Sequence, residues 1–159
     1  IILTAPGFKN TFSAIGVISE IGTNMEAFPS AKHLCSWAGL TPTNNESAGK
    51  KKSVRVSKAG CYIKPLLVQC ANAVVKSNKH PEMRNRYLRL RKRRGHKKAI
   101  IAIARMLLTA LYHMLKNNEN YNAELYQKSD LPPVDREITV EQAIIIARNQ
   151  GYKIKSATT

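Results

Sequence analysis

The sequence predicts an all-α fold, and three observations carry that expectation. Apolar residues recur at i, i+3, i+4 and i+7 through most of the chain. Gly, Pro and Asn punctuate it at intervals that suit helices of ordinary length. No run alternates apolar and polar residues for long enough to read as a strand. With 159 residues, 43% of them hydrophobic, the chain can bury one core and carry a tail. The expected architecture is a compact helical domain over 1–118, with a helix-hairpin-helix-like start and one long, central buried helix. A polar linker and a C-terminal helical appendage follow over 119–159.

The first helix is bounded by Asn10 or Thr11 as cap and by Gly22 as stop, and Phe12, Ile15, Ile18 and Ile21 recur along it at helical spacing. The Pro6-Gly7 turn before it has the form of a helix-hairpin-helix unit, whose turn amides hold a backbone phosphate. Gly-Phe-Lys-Asn lacks the second glycine of that hairpin, so an ordinary helix start reads the same way. A second helix begins after Phe28-Pro29 with Ser30 as cap, presents Leu34, Trp37 and Ala38, and ends at Gly39. Trp37 is the sole tryptophan. It is read as a core anchor, with a base-stacking platform as the alternative.

Gly39 to Gly60, GLTPTNNESAGKKKSVRVSKAG, is polar and lysine-rich and reads as a loop held on the scaffold. A third helix over 59–79 carries Ile63, Leu66, Leu67, Cys70, Ala71, Val74 and Val75 on one face, with Pro65 tolerated in its first turn. Pro81 permits a fourth start, and Glu82 to Arg94 has a thin apolar stripe of Met83, Tyr87, Leu88 and Leu90. Gly95 breaks that helix, and His96, Lys97 and Lys98 lead into a fifth over Ala99 to Lys116, apolar nearly all round and so expected at the centre of the core. Beyond Asn117 the chain turns polar, Leu131-Pro132-Pro133 is a stiff break, and Thr139 to Gln142 forms a capping box for a last helix through Ile144, Ile145 and Ala147.

Charge is the strongest functional signal. The net charge is +16, and residues 1–118 hold 21 of the 26 Lys and Arg against Glu20, Glu26, Glu46 and Glu82. A body this basic resists its own compaction, so a polyanionic partner is expected: nucleic acid first, an anionic membrane surface second. Arg84, Arg86, Arg89, Arg91, Lys92, Arg93 and Arg94 fall within eleven residues and form a self-repelling helix that phosphate contact explains best.

Cys35, Cys61 and Cys70 have neither C-x-x-C spacing nor a neighbouring His pair, and read as buried thiols of a reducing compartment such as the cytoplasm. No apolar run reaches the roughly 18 residues of a membrane span, and no signal-peptide pattern is present. The first residue is Ile rather than Met, so the chain is expected to come from a longer protein.

The inventory of reactive groups narrows the chemistry. Two-metal phosphoryl transfer needs several Asp or Glu side chains converging on Mg²⁺, yet the aspartates are Asp130 and Asp135, both in the tail. His33, His80, His96 and His113 are scattered without metal-ligand spacing, and no G-x-S-x-G elbow occurs. A nucleophile set among cations remains. Ser47, followed by Lys50, Lys51, Lys52, Arg55 and Lys58, offers a hydroxyl and the positive charge that a phosphodiester transition state needs. A solvated lysine-rich turn accounts for the same residues.

The blocks PG-x(8)-I-x-x-IG, FPSAKHLCSWAGLTP, SAGK and VSKAGCYIKPLLVQCA, taken in order, resemble the C-terminal transposase domain of IS116/IS110/IS902-type insertion sequences, a family that includes the Piv-type DNA invertases. The likeness covers residues 3–115, and the AGL-x-P to S-K-x-G stretch is its most specific part. It implies a DNA recombinase in which an N-terminal RuvC-like domain supplies acidic, Mg²⁺-binding residues and this domain supplies a serine that links covalently to DNA. Some members are guided by an element-encoded RNA, and the active complex is expected to be a homo-oligomer. Carried onto this chain, the nucleophile falls on Ser47, with Ser53 and Ser57 as runners-up. Lys50, Lys51, Lys52, Arg55 and Lys58 would then lie near the scissile phosphate, and Arg84 to Arg94 with Lys97 and Lys98 would grip nucleic acid. Ala48 stands where relatives often have Gly, and Cys61 where they usually have Asn. Without the acidic half, the isolated chain is expected to be inactive. The alternative is a non-catalytic DNA- or RNA-binding module whose loop only clamps phosphate.

Overall fold

The computed structural model describes residues 1–42, 45–47, 50–53, 56, 58–124 and 143–144, with 45–47 and 50–53 described by their backbone alone. The chain divides into two compact units, Ile1–Ala123 and Glu124–Thr159. In the second, Ala143 and Ile144 are helical. The Leu131-Pro132-Pro133 break, the Thr139–Gln142 capping box and the rest of the expected last helix lie outside the described residues.

The first unit is all-helical in class. Its helices are α1 (Thr11–Ile21), α2 (Ala31–Trp37), α3 (Ile63–Lys76), α4 (Pro81–Arg94) and α5 (His96–Asn117), with short 3₁₀ turns at Ile2–Thr4 and Met25–Ala27. Local chemistry sets most of the boundaries. The Asn10 side chain accepts a hydrogen bond from the Phe12 amide at 2.9 Å and caps α1, and Asn24 does the same for the Glu26 amide ahead of the second 3₁₀ turn. Ser30 starts α2, its hydroxyl facing the His33 amide at 3.5 Å and the His33 ring nitrogen at 2.9 Å. Pro81 occupies the first turn of α4, where no amide partner is lost.

The fifth helix is the core. It packs against α2, α3, α4 and both 3₁₀ turns, and it buries Ala99, Ile100, Ile103, Ala104, Leu107, Leu108, Leu111, Tyr112 and Met114. The helices α3 and α2 that pack on it bury Ile63, Leu67, Cys70, Ala71, Val74 and Val75, and Leu34 and Cys35, respectively. The Tyr112 hydroxyl reaches back to donate to the Phe28 carbonyl at 3.0 Å, tying α5 to the segment that leads into α2. Contrary to the sequence-level expectation, this helix is long and apolar enough to cross a bilayer, and half of that stretch is buried inside the domain.

Three side-chain expectations are corrected. The stripe Phe12, Ile15 and Ile18 on α1 faces outward, Phe12 being 82% exposed, and the buried face is Ala14, Val17 and Ile21. Both stripes have helical spacing; α1 seats the smaller one because it approaches α3 closely, with Leu66 Cδ2 only 2.9 Å from where a Cβ on Gly16 would stand. Trp37 is not a core anchor: it is 44% exposed, beside Phe28 at a ring separation of 5.7 Å. Leu88, assigned to the apolar stripe of α4, is likewise exposed, and that helix buries Met83 and Tyr87 alone.

The turn before α1 contains a conformational requirement. Gly7 has φ of 86°, and a Cβ there would lie 2.7 Å from the Cys70 carbonyl oxygen and 2.8 Å from Val74 Cγ2, so only glycine lets this turn pass over α3.

Candidate nucleic-acid interface

The loop after α2 leaves the scaffold and returns to it at one point. Leu34 and Ser36 carbonyls accept from the Ala38 and Gly39 amides and close α2, and the Leu40 amide then donates to the Cys35 carbonyl at 2.9 Å while its side chain is buried. On the return, Gly60 sits at φ of 66° against the end of α2, where a Cβ would come 2.4 Å from the Ala38 carbonyl oxygen. No larger residue fits, so the two ends of the loop are pinned together. The loop is thereby presented as an excursion of fixed base.

Its described residues include strand pairing that the sequence does not suggest. Pro42 bridges to Val56, and beyond that bridge β1 (Asn45–Ser47) pairs antiparallel with β2 (Lys50–Ser53). The register matches Asn45 with Ser53, Glu46 with Lys51 and Ser47 with Lys50, with an irregularity between Asn45 and Glu46. Directly opposed residues of an antiparallel pair have Cα atoms about 5 Å apart. Ser47 therefore ends β1 directly across from the first residue of the lysine run, at the end of the ribbon away from the pinned base. The strands escaped the sequence reading because both are short and polar throughout, and the all-α class is unaffected.

Of the other residues assigned to the loop site, Lys58 is exposed beside the return to α3, and Arg55 and Ser57 lie outside the described residues. The second basic cluster is built on α4 and the first turn of α5. Arg84, Arg89, Arg91, Lys92, Arg93, Arg94, Lys97 and Lys98 are exposed and Arg86 is half-buried. Glu82 is the one acid in the sequence between 81 and 98 and sits in the first turn of α4, whereas Arg91 to Arg94 form the last. At 1.5 Å per residue those ends are roughly 14 to 18 Å apart, beyond the screening length of physiological salt. The terminal cations are stabilised instead by the negative end of the helix dipole. Gly95, at φ of 80°, turns the chain into α5. Across that corner the Tyr87 hydroxyl and His96 Nδ1 are 2.8 Å apart, which holds the two helix ends in a fixed relation.

The cysteines separate. Cys35 and Cys70 are buried, and burial pushes both thiols up from the ordinary value of 9.0. Cys35 also faces the Arg105 carbonyl and the Thr109 hydroxyl of α5 at 3.7 and 3.6 Å. Cys61 is exposed, which corrects its reading as a third buried thiol. Among the described residues no three His, Cys, Asp or Glu side chains gather as a metal site.

A helical body of high positive charge, with a hairpin bearing a serine opposite lysine and an arginine-rich helix, has the form of a polyanion-binding domain. Comparison with known proteins narrows this. The chain belongs to the IS116/IS110/IS902 transposase family, whose model matches residues 1–88. It is 33% identical over 124 residues to the insertion element IS900 uncharacterized 42 kDa protein of Mycobacterium paratuberculosis, covering 77% of this chain and 30% of that protein. It is 29% identical over 132 residues to the pilin gene-inverting proteins of Moraxella lacunata and Moraxella bovis, covering 80% of this chain and 39% of each. The chain thus spans between 30% and 39% of the length of these relatives. No solved structure matches it significantly.

Proposed function

We propose that this chain is the serine-bearing, DNA-binding domain of a transposase that acts as a DNA recombinase. In this reading the Ser47 oxygen attacks a DNA phosphorus. An O–P bond to serine forms as one P–O bond to a sugar breaks, the serine proton is released and the leaving sugar oxygen takes one up. The phosphoserine link keeps the energy of the phosphodiester for rejoining. Lys50, Lys51, Lys52, Arg55 and Lys58 supply positive charge to the non-bridging oxygens. Arg84, Arg86, Arg89, Arg91, Lys92, Arg93, Arg94, Lys97 and Lys98 hold the duplex or a guide RNA by its phosphates.

The observation that carries this reading is the register of the hairpin, which pairs Ser47 with Lys50 at the far end of a loop pinned by Gly60. Membership of a transposase family, and the likeness to proteins named for inverting a gene, support it. The catalytic site is completed by a RuvC-like acidic domain that binds Mg²⁺, in a homo-oligomer working in the cytoplasm, and the 159-residue chain alone is inactive.

The test is strand exchange and adduct formation by the full-length protein. With wild type, a covalent protein–DNA species is expected after denaturation, and Ser47→Ala abolishes both the adduct and recombination while DNA affinity stays within about threefold. Undiminished recombination by Ser47→Ala would show instead a non-catalytic module whose loop clamps phosphate.

A further inference from the structure

The two exposed aromatic side chains nearest the loop stand where it joins the scaffold, and their placement is not a matter of chance spacing. Gly60 lies against the Ala38 carbonyl. Trp37 precedes that contact by one residue, and Tyr62 follows it by two as the N-cap of α3. The Ala38 Cα is 2.9 Å from where a Cβ on Gly60 would stand, and consecutive Cα atoms are about 3.8 Å apart, so the Cα atoms of Trp37 and Tyr62 lie at most roughly 16 Å from each other. A strand that keeps the stacked rise of about 3.4 Å per nucleotide crosses that distance in no more than some five nucleotides.

Both rings are open to solvent where burial would have been favourable: Trp37 is 44% and Tyr62 74% exposed. Burying such rings ordinarily removes 150 to 250 Å² of surface from water, roughly, so a domain with a well-filled core leaves them out only if packing gives them nothing to meet. Trp37 is nonetheless held. Phe28 lies beside it with ring planes tilted by 59°, and the Phe28 backbone is fixed by the hydrogen bond from Tyr112 of the core helix. One flank of the indole is supported and the remainder is open. The segments that carry the rings also carry exposed lysines, Lys32 and Lys58. A held, open aromatic ring on a cationic domain is what a single strand uses, because every base has a π-face and every nucleotide a phosphate.

We propose that Trp37 and Tyr62 form a stacking platform for unpaired nucleobases at the neck of the hairpin loop. Bases next to the phosphate presented to the loop would leave the duplex and stack on these rings, so the platform selects opened nucleic acid over intact duplex. This rests on the loop being the nucleic-acid site. It does not rest on Ser47 being the nucleophile: strand cleavage reads Ser47, whereas stacking is read at Trp37.

Because Trp37 is the sole tryptophan, fluorescence excited at the red edge, where the six tyrosines do not absorb, reports on this ring alone. The chain is titrated with a single-stranded DNA oligonucleotide, its duplex, and an abasic strand of equal length that keeps the phosphates and lacks the bases. The single strand should quench the fluorescence, and the abasic strand should bind without quenching. Trp37→Ala should weaken single-strand binding roughly 5- to 150-fold with abasic and duplex binding unchanged, and Trp37→Phe should restore most of the loss. Tyr62→Ala should move in the same direction. An RNA strand of the same sequence, run beside the DNA, shows which of the two supplies the bases. The proposal is overturned if the abasic strand quenches as fully as the normal one, or if Trp37→Ala, folded by circular dichroism, binds single strands as tightly as wild type.

Discussion

The helices α4 and α5 meet at Gly95 and differ in everything else. The fourth places two side chains in the core, Met83 and Tyr87, and gives most of its remaining surface to cations. The fifth buries nine and carries its exposed lysines, Lys97 and Lys98, in its first turn and Lys116 in its last. What α4 lacks in buried area it recovers by leaning on α5, through the Tyr87–His96 contact and its two core residues. The difference shows a division of labour. A helix that repels itself can be kept folded only where a neighbour supplies the apolar surface, so the charged helix is free to serve a partner and the apolar one is not.

The strongest way to break this contrast is to remove packing from α5. Leu108 is fully buried, and Leu108→Ala is expected to lower stability by about 2–5 kcal/mol, seen as a fall in the urea midpoint. If α5 were replaceable as a core, the midpoint would hardly move. The complementary change on α4, Arg91→Gln with Arg93→Gln, is expected to shift stability by no more than about 0.5 kcal/mol. It should weaken DNA binding at every sequence and reduce the salt slope of log K by roughly 2. A large loss of stability with an unchanged slope would mean that these arginines hold the fold rather than a phosphate backbone.

The smallest effect sharpens the core side of the comparison, since Cys35 packs on α5. Burial raises the thiols of Cys35 and Cys70, so their folded forms keep the proton after the unfolded chain has lost it. The stability they contribute is complete below the ordinary value of 9.0 and declines as pH rises above it. Urea midpoints measured from pH 8 to 10.5 should fall less steeply in Cys35→Ala than in wild type, after correction for the lost side chain. Equal slopes would show the thiol to be as wet as that of Cys61.

Much of the helical frame was legible because helix ends are decided by neighbours in sequence. Asn10, Ser30, Pro81 and Gly95 act through bonds and dihedrals within one turn, and they stand at the boundaries expected of them. The periodicity of α5 was likewise sufficient, since a helix apolar nearly all round has one favourable place to go. The hairpin was not legible, for its strands are three and four polar residues long and alternate with nothing. The candidate site was approached through charge, residue type and family resemblance, which named Ser47 and the lysines without the register that sets Lys50 opposite Ser47.

By itself, then, the sequence determined the class, several of the helix boundaries, the central role of α5 and the asymmetry of charge, because each depends on local bonding or on a sum over residues. Only the tertiary structure decided which of two stripes α1 buries, and that Trp37 faces solvent. It alone brought Gly60 onto the carbonyl of Ala38 and so pinned the loop. Those outcomes depend on which surfaces reach each other first and fit most closely, a competition between distant segments that no local pattern encodes.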